Sequence, residues 1–277
     1  MKPRTTAKTR RWGQHFLADS KVLKKIVRVI DPQPEDLIIE IGAGKGVLTF
    51  PLAQKARAVI AIEKDRELVP VLACGKPDNL KIVEKDVLRV NFKELVAAAA
   101  SRTDPVKIVG NLPYSISSPL MFKVLEEKRL FQSCVFLVQK EVAERICARP
   151  GSKKYAPLSI LVHNHFSARI HCLVHAGSFS PPPRVESALI SLDRRASPLF
   201  EIPDEHLFLK FLQVAFRHRR KILMNNLRRS GWPPETLASA YEELGLKRTA
   251  RPEELTISQF VRLFDFSRAF VFGGRSS

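Results

Sequence analysis

With 277 residues, the chain suits one large domain, or a domain of under about 200 residues with a smaller companion, and it can bury a core without disulfide staples. A formal charge of +18 and a pI near 10.1 argue against a cationic partner and favour a polyanion, nucleic acid ahead of an anionic membrane surface. No run of about 18 apolar residues occurs, the start Met1–Thr6 lacks an apolar signal core, and the four cysteines form no Cys-x-x-Cys pair, so the expectation is a cytoplasmic protein with free thiols, no membrane association and no metal.

Residues 1–30 form a basic N-terminal segment with nine Lys or Arg against one Asp. Within it, Gly13-Gln14-His15-Phe16-Leu17 precedes Asp19-Ser20, a helix cap, and Val22, Leu23, Ile26, Val27 and Ile30 then recur at helical spacing. Asp31-Pro32-Gln33-Pro34 ends that helix. Leu37–Ile41 reads as a strand running into Gly42-Ala43-Gly44-Lys45-Gly46, with a helix from about Val47 to Ala56. A strand, a glycine turn and a helix make a nucleotide-binding corner, because glycine lets the backbone approach a ligand closely. The spacing is neither the G-x-G-x-x-G dinucleotide fingerprint nor a P-loop.

A second strand, Ala58–Ile62, ends on Glu63, placed where an acid accepts hydrogen bonds from two ribose hydroxyls. A third, Leu80–Val83, leads to Asp86. A fourth, Val106–Gly110, runs into Asn111-Leu112-Pro113-Tyr114. Proline stiffens that turn; an Asn oxygen and a turn carbonyl can accept both hydrogens of an exocyclic amine, and a tyrosine face can stack on a base, while an ordinary strand-end turn with a half-buried Tyr is the alternative. The glycine turn, Glu63, Asp86 and Asn111 thus sit at successive strand ends and line the top of one parallel sheet.

Beyond this turn, Ser117–Leu125 reads as a helix, Ser133–Gln139 as a strand and Lys140–Ala148 as a charged helix. Pro157–Phe166 and Ala188–Leu192 read as two further strands. The Pro-rich segment Phe179–Ser187 lies between them, its prolines holding Phe179 rigidly. His163 and His165 read as alternation along the strand at 157–166, and no histidine spacing matches a zinc pattern. Arg194–Pro203 is polar and marks the domain boundary. The rest is helical: an apolar stripe (Phe208, Phe211, Leu212, Ala215, Phe216), a basic patch (Arg217-His218-Arg219-Arg220-Lys221), and helices near Glu235–Leu244 and Ser258–Phe266, the last capped by Thr256 or Ser258.

In combination these motifs resemble the ribosomal RNA adenine N6-dimethyltransferases, most closely the bacterial small-subunit type. The carriers are Gly13–Leu17, Glu40–Gly44, Glu63, Asp86, Asn111–Tyr114, Gln139–Ala143, Phe179-x-Pro-Pro-Pro-x-Val185-x-Ser187 and Phe216-Arg217-x-Arg219-Arg220-Lys221-x-Leu223. The resemblance implies an α/β architecture. A seven-stranded Rossmann-like methyltransferase domain over residues 1–195 is followed by a smaller, all-helical RNA-binding domain over 196–277.

It further implies S-adenosyl-L-methionine as cofactor and dimethylation of N6 on two adjacent adenosines of small-subunit rRNA, within a pre-30S particle, by a monomer. By resemblance, His15, Leu17, Gly42, Glu63, Asp86 and Asn111 bind the cofactor; position 15 is Asn in many relatives. Asn111, Leu112, Pro113 and Tyr114 form the catalytic turn, while Phe179, Arg219, Arg220 and Lys221 contact RNA. The alternatives are a large-subunit rRNA adenine methyltransferase of the antibiotic-resistance type, an amine methyltransferase acting on DNA or protein glutamine, and a non-catalytic ribosome assembly factor. Against the first stand the triple proline and the Arg-Arg-Lys helix.

Overall fold

The structure, a computed structural model, describes residues 14–99, 101, 104–218 and 221–273, with backbone alone beyond Ser267. Residues 1–13 of the basic N-terminal segment, and Arg219 and Arg220, lie outside the described residues. The chain divides into two compact units, residues 1–143 with 167–194, and residues 144–166 with 195–277.

The first unit is built on a seven-stranded sheet. Its strands are β2 (Leu37–Ile41), β3 (Ala58–Glu63), β4 (Leu80–Glu84), β5 (Val106–Asn111), β6 (Ser133–Gln139), β7 (Phe166–Val174) and β9 (Ser187–Arg194), in the order β4-β3-β2-β5-β6-β9-β7. β4, β3, β2, β5 and β6 are mutually parallel, and β9 runs antiparallel to β6. Two further segments, β1 (Phe16–Leu17) and β8 (Phe179–Ser180), pair antiparallel as a separate ribbon.

Every residue of β2 is buried, as expected for a parallel strand covered on both faces. One face packs Ile38, Val59, Ala61, Val109, Val135, Leu137 and Leu189 against Ile26 and Ile30 of α1 (Ser20–Ile30) and Leu52 of α2 (Thr49–Ala53). Residues of opposite parity, such as Leu37, Ile39, Ile60, Ile108 and Phe136, are equally buried and face the other way. Around the sheet stand the short helices α3 (Val69–Ala73) and α4 (Phe92–Ala97), and the longer α5 (Ser117–Glu126). The helix expected over 47–56 is confined to α2.

α1 starts at Asp19, whose side chain accepts hydrogen bonds from the Lys21 and Val22 amides (2.8 and 3.3 Å). It ends at Asp31, which takes the left-handed conformation with φ of 47°. The Lys107 side chain, buried near the start of β5, closes this end. Its Nζ pairs with Asp36 at 2.7 Å and donates to the carbonyls of Asp31 and Ile30 (2.7 and 3.2 Å). The helix carrying the N-terminal segment is thereby fastened to the strand that carries Asn111.

The second unit is helical: α7 (Pro157–His165), α8 (Glu205–Ala215), α9 (Leu223–Arg229), α10 (Pro234–Glu243) and α11 (Ile257–Gly273), with α6 (Lys140–Ile146) at the border. Aromatic rings fill its core. Phe208 meets Phe264 edge-on at 5.2 Å, and Phe211 lies 6.1 Å from Trp232. Thr256 and Gln259 cap α11 reciprocally, each amide bonded to the other's side-chain oxygen.

Two expectations change here. Residues 157–165 are a helix, so the seventh strand is the neighbouring β7, and His163 and His165 are helical residues in the interior of this unit. Pro157 occupies the first helical position, where its missing N–H costs nothing, and the Ala156 amide is met by the Ser159 hydroxyl (3.1 Å). Leu158 to His165 are all buried, so no amphipathic period marks the helix. The basic patch likewise does not extend α8, which ends at Ala215. Asn226, buried in α9, donates to the carbonyls of Ala215 and His218 (2.7 and 3.4 Å) and holds the chain in a turn. Lys221 is exposed in that α8–α9 connection.

Candidate active site

β2 is flanked by β3 on one side and β5 on the other, so the chain reverses its direction of winding between them, and a crevice opens beyond their carboxyl ends. Gly42 and Asn111 face each other there. Gly42 has φ of 70°, and a Cβ on it would lie 3.8 Å from the Asn111 carbonyl oxygen. At Gly110 a Cβ would sit only 2.5 Å from the Ile41 oxygen, which restricts the position to glycine and brings β2 and β5 close.

Three adjoining cavities share Gly42. One of about 230 Å³ is walled by Ile41, Ile62, Val87, Pro113 and Ile116, with Glu63 and Asp86 as its acceptors. A second is lined by His15, Glu63 and Asn111 to Tyr114. The third lies among Phe16, Leu17, Glu40 and Asn111. The structure therefore gathers His15, Leu17, Gly42, Glu63, Asp86, Asn111, Leu112, Pro113 and Tyr114 around one cleft.

The acids are held differently. Glu63, at the end of β3, is only 4 % exposed. Its Oε2 accepts from the Gly44 amide (2.8 Å) and its Oε1 from the Lys64 and Asp65 amides (2.9 and 2.8 Å), so it ties the glycine turn to β3. A carboxylate has about four lone-pair sites, so with three amides bound capacity for one ribose hydroxyl remains. Asp86 takes the Leu88 amide (3.1 Å) and Lys64 Nζ (2.7 Å), and the lysine bond holds its carboxyl below the usual range.

Asn111 is oriented by the N-terminal segment. Its Nδ2 donates to the His15 carbonyl (2.8 Å), and His15 Nδ1 lies 2.7 Å from the Pro181 carbonyl. Ribbon β1–β8 thus joins the two motifs that looked separate in the sequence, and the Asn111 amide is left with Oδ1 as its acceptor end. The Leu112 amide bonds Leu137 O (3.0 Å), and the Pro113 carbonyl is taken by Ile116 and Ser117. The Leu112 carbonyl accepts no hydrogen bond among the described residues. Tyr114 is half-buried, its hydroxyl 2.9 Å from the Ser187 hydroxyl, its ring 5.8 Å from that of His15.

Two residues expected to contact RNA stand elsewhere. Phe179 is 4 % exposed and packs in the core, where the β1–β8 pairing and the following prolines fix it, so its ring offers no face to a base. Lys221 belongs to the second unit. Conversely, Glu40 entered the sequence reading only as part of the Glu40–Gly44 motif and was given no site role, though a lone acid inside Leu-Ile-Ile-Glu-Ile is a signal. It is 2 % exposed with Oε2 unpartnered among the described residues. Burial, with Glu63 nearby, pushes its carboxyl up to about 8.

This sheet order, with the glycine corner and the Asn-Leu-Pro-Tyr turn at its switch point, defines a Rossmann-like methyltransferase. The sequence profile described as ribosomal RNA adenine dimethylase matches residues 5–268, and the chain belongs to that family. It is 40 % identical over 263 residues to ribosomal RNA small subunit methyltransferase A of Streptococcus mutans, covering 93 % of this chain and 90 % of the relative. The Clostridium botulinum protein of the same name is 38 % identical over 255 residues, covering 91 % of each. Among solved structures, a dimethyladenosine transferase from Plasmodium falciparum superposes with a TM-score of 0.77 at 26 % identity, covering 92 % of this chain and 98 % of that one. The 23S rRNA methyltransferase ErmE gives 0.69 at 26 %, covering 91 % and 98 %.

Proposed function

We propose that this chain transfers methyl groups from S-adenosyl-L-methionine to N6 of two adjacent small-subunit rRNA adenosines, giving N6,N6-dimethyladenosine. The observation that carries the reading is the pair of acceptors at one turn, Asn111 Oδ1 and the Leu112 carbonyl, beside a cleft that fits the cofactor. Glu40 presents a buried, unpartnered oxygen to an ammonium group, Glu63 serves the ribose, and Asp86 with its apolar walls serves the adenine. A large-subunit enzyme shares the fold, but the extent of identity to the small-subunit relatives favours the reading given. The test is to incubate the protein with labelled cofactor and unmodified small subunits and to map the methylated nucleotides by mass spectrometry. Small subunits left without label on adjacent adenosines, with large subunits labelled in a parallel incubation, would reject it.

The cofactor supplies an electrophilic methyl on a sulfonium. The chain's own part is positioning. N6 of adenine is a poor nucleophile because its lone pair is delocalised into the ring. Accepting both amine hydrogens, Asn111 and Leu112 draw N6 toward a tetrahedral arrangement and localise that pair, while Tyr114 holds the base face. Orientation of this kind replaces a strong base. The substrate is a partly assembled small subunit, met by a monomer in the cytoplasm. Residues 196–277 form the RNA-binding domain, to which Arg219, Arg220 and Lys221 contribute phosphate contacts. Free cysteines and the lack of any membrane-crossing helix among the described residues are consistent with that setting.

Glu40 makes cofactor binding pH-dependent. Its carboxyl is neutral in the free protein below about 8, whereas a bound ammonium favours the ionised form, so binding releases a proton and affinity rises as pH approaches 8. Stability of the free protein runs the opposite way. The unfolded chain ionises Glu40 at an ordinary carboxylate pKa, so the folded state binds the extra proton and loses stability as pH climbs to about 8. Calorimetry in buffers of different ionisation enthalpy reads the released proton, and Glu40→Gln abolishes it.

Tyr114 separates stacking from packing. Tyr114→Phe keeps the ring and most activity, while Tyr114→Ala loses about 1–3 kcal/mol of base positioning. Cofactor affinity and melting temperature stay near wild type in both. Single-turnover methylation with those two measurements checks the prediction, and a joint fall of stability and cofactor binding would assign Tyr114 to packing.

A further inference from the structure

A trough of about 880 Å³ lies on the first unit and shares no lining residue with the cofactor cleft. Its walls grow directly out of the site. One begins at Leu88, whose amide bonds Asp86, and continues into the start of α4. The other is the C-terminal half of α5, the helix that follows the Asn111–Tyr114 turn, with the turn Lys128–Leu130.

Its charge is one-sided. Arg89, Lys93 and Arg129 are exposed, and none of them has an ion-pair partner among the described residues. Lys123 and Lys128 add to them. Of the two carboxylates, Glu126 is exposed, and Glu127 is already engaged: Oε2 accepts from the Lys93 amide (3.0 Å) and Oε1 pairs with Lys123 (3.5 Å), so among the described residues five cations face one uncommitted acid. Arg89, Lys93 and Arg129, converging on a concave surface, focus a positive field and concentrate a polyanion there.

We infer that this trough binds phosphates of the rRNA segment flanking the target adenosines, so that the methyltransferase unit grips the substrate backbone as well as the base. The inference rests on the rRNA reading above. RNA leaving the catalytic turn follows α5, and the cations engage it without reading sequence.

The test is the triple variant Arg89→Gln/Lys93→Gln/Arg129→Gln, titrated with a small-subunit rRNA fragment across a salt series. Each lost phosphate contact lowers the slope of log affinity against log salt by about 0.7–0.9, so the slope should fall by about two. Cofactor affinity, melting temperature and methyl transfer at saturating RNA stay at wild-type values. A variant with the wild-type slope, while the wild-type protein methylates the same RNA, overturns the trough alone. So does lost binding to assembled particles with naked-RNA affinity unchanged, which would point to a protein contact. A wild-type protein that neither binds nor methylates small-subunit rRNA, as the free fragment or within unmodified small subunits, overturns this inference and the proposed function together.

Discussion

Asn111→Ala is expected to lower the rate of methyl transfer by about a hundredfold to a thousandfold, the effect of removing one preorganised hydrogen-bonding group from a reacting centre. The side chain does two things. Its Oδ1 is the acceptor offered to the target amine, and its Nδ2 holds the His15 carbonyl at 2.8 Å. The alanine variant loses both, so cofactor affinity should drop as well, by a smaller factor, because Glu63 and Asp86 remain. Asn111→Asp separates the functions: it keeps an acceptor, gives up the donor, and places a second acceptor against the His15 carbonyl. Single-turnover rates at saturating cofactor and RNA, with cofactor affinity measured separately, read the two losses. An alanine variant that turns over at the wild-type rate would remove Asn111 from the chemistry.

Lys107→Met is expected to destabilise the first unit by about 3–5 kcal/mol, the usual consequence of removing one partner of a buried ion pair. Asp36 is 1 % exposed, so its charge would be left in the interior, and the carbonyls of Ile30 and Asp31 would lose their donor. For a unit of this size the fall in melting temperature is roughly 10 °C. Lys107→Met/Asp36→Asn should recover part of that loss, since the stranded charge is gone. Thermal unfolding of the two variants decides the matter, and an unchanged melting temperature in the single variant would show that the pair contributes nothing net. Cofactor affinity should also weaken in Lys107→Met, because α1 leads back through Asp19 to the segment that holds Asn111.

The strand ends were legible because parallel strands covered on both faces read as unbroken apolar runs, and a run that stops at Gly42, Glu63 or Asn111 marks a sheet's carboxyl edge. The same logic failed for residues 157–165. A helix buried all round is also an unbroken apolar run, and nine residues fall between strand and helix lengths. β7 was missed for the converse reason: as an edge strand it carries Arg169 and His171 among Ile170 and Leu173 and shows no clean alternation. Glu40 and Lys107 were visible as charges inside strands, but sequence alone did not say what each one faces. Nor did it show that the N-terminal and triple-proline motifs are paired strands, since 163 residues separate Phe16 from Phe179 and only the ribbon register joins them.

The chain passes between its two units three times, at 143–144, 166–167 and 194–195. The helical unit is therefore not an appendage that a single cut can detach. A fragment ending at residue 195 would retain α7 but lack α8, against which α7 packs, and would present the apolar surface of Leu158, Ile160 and Leu161 to water. Such surface invites self-association. A fragment starting at 196 would in turn lack the helix that completes its core. Exchanging this unit with that of a relative thus calls for two grafts, one inside the methyltransferase sequence between β6 and β7 and one at its end. In recombination terms the protein is a single cassette.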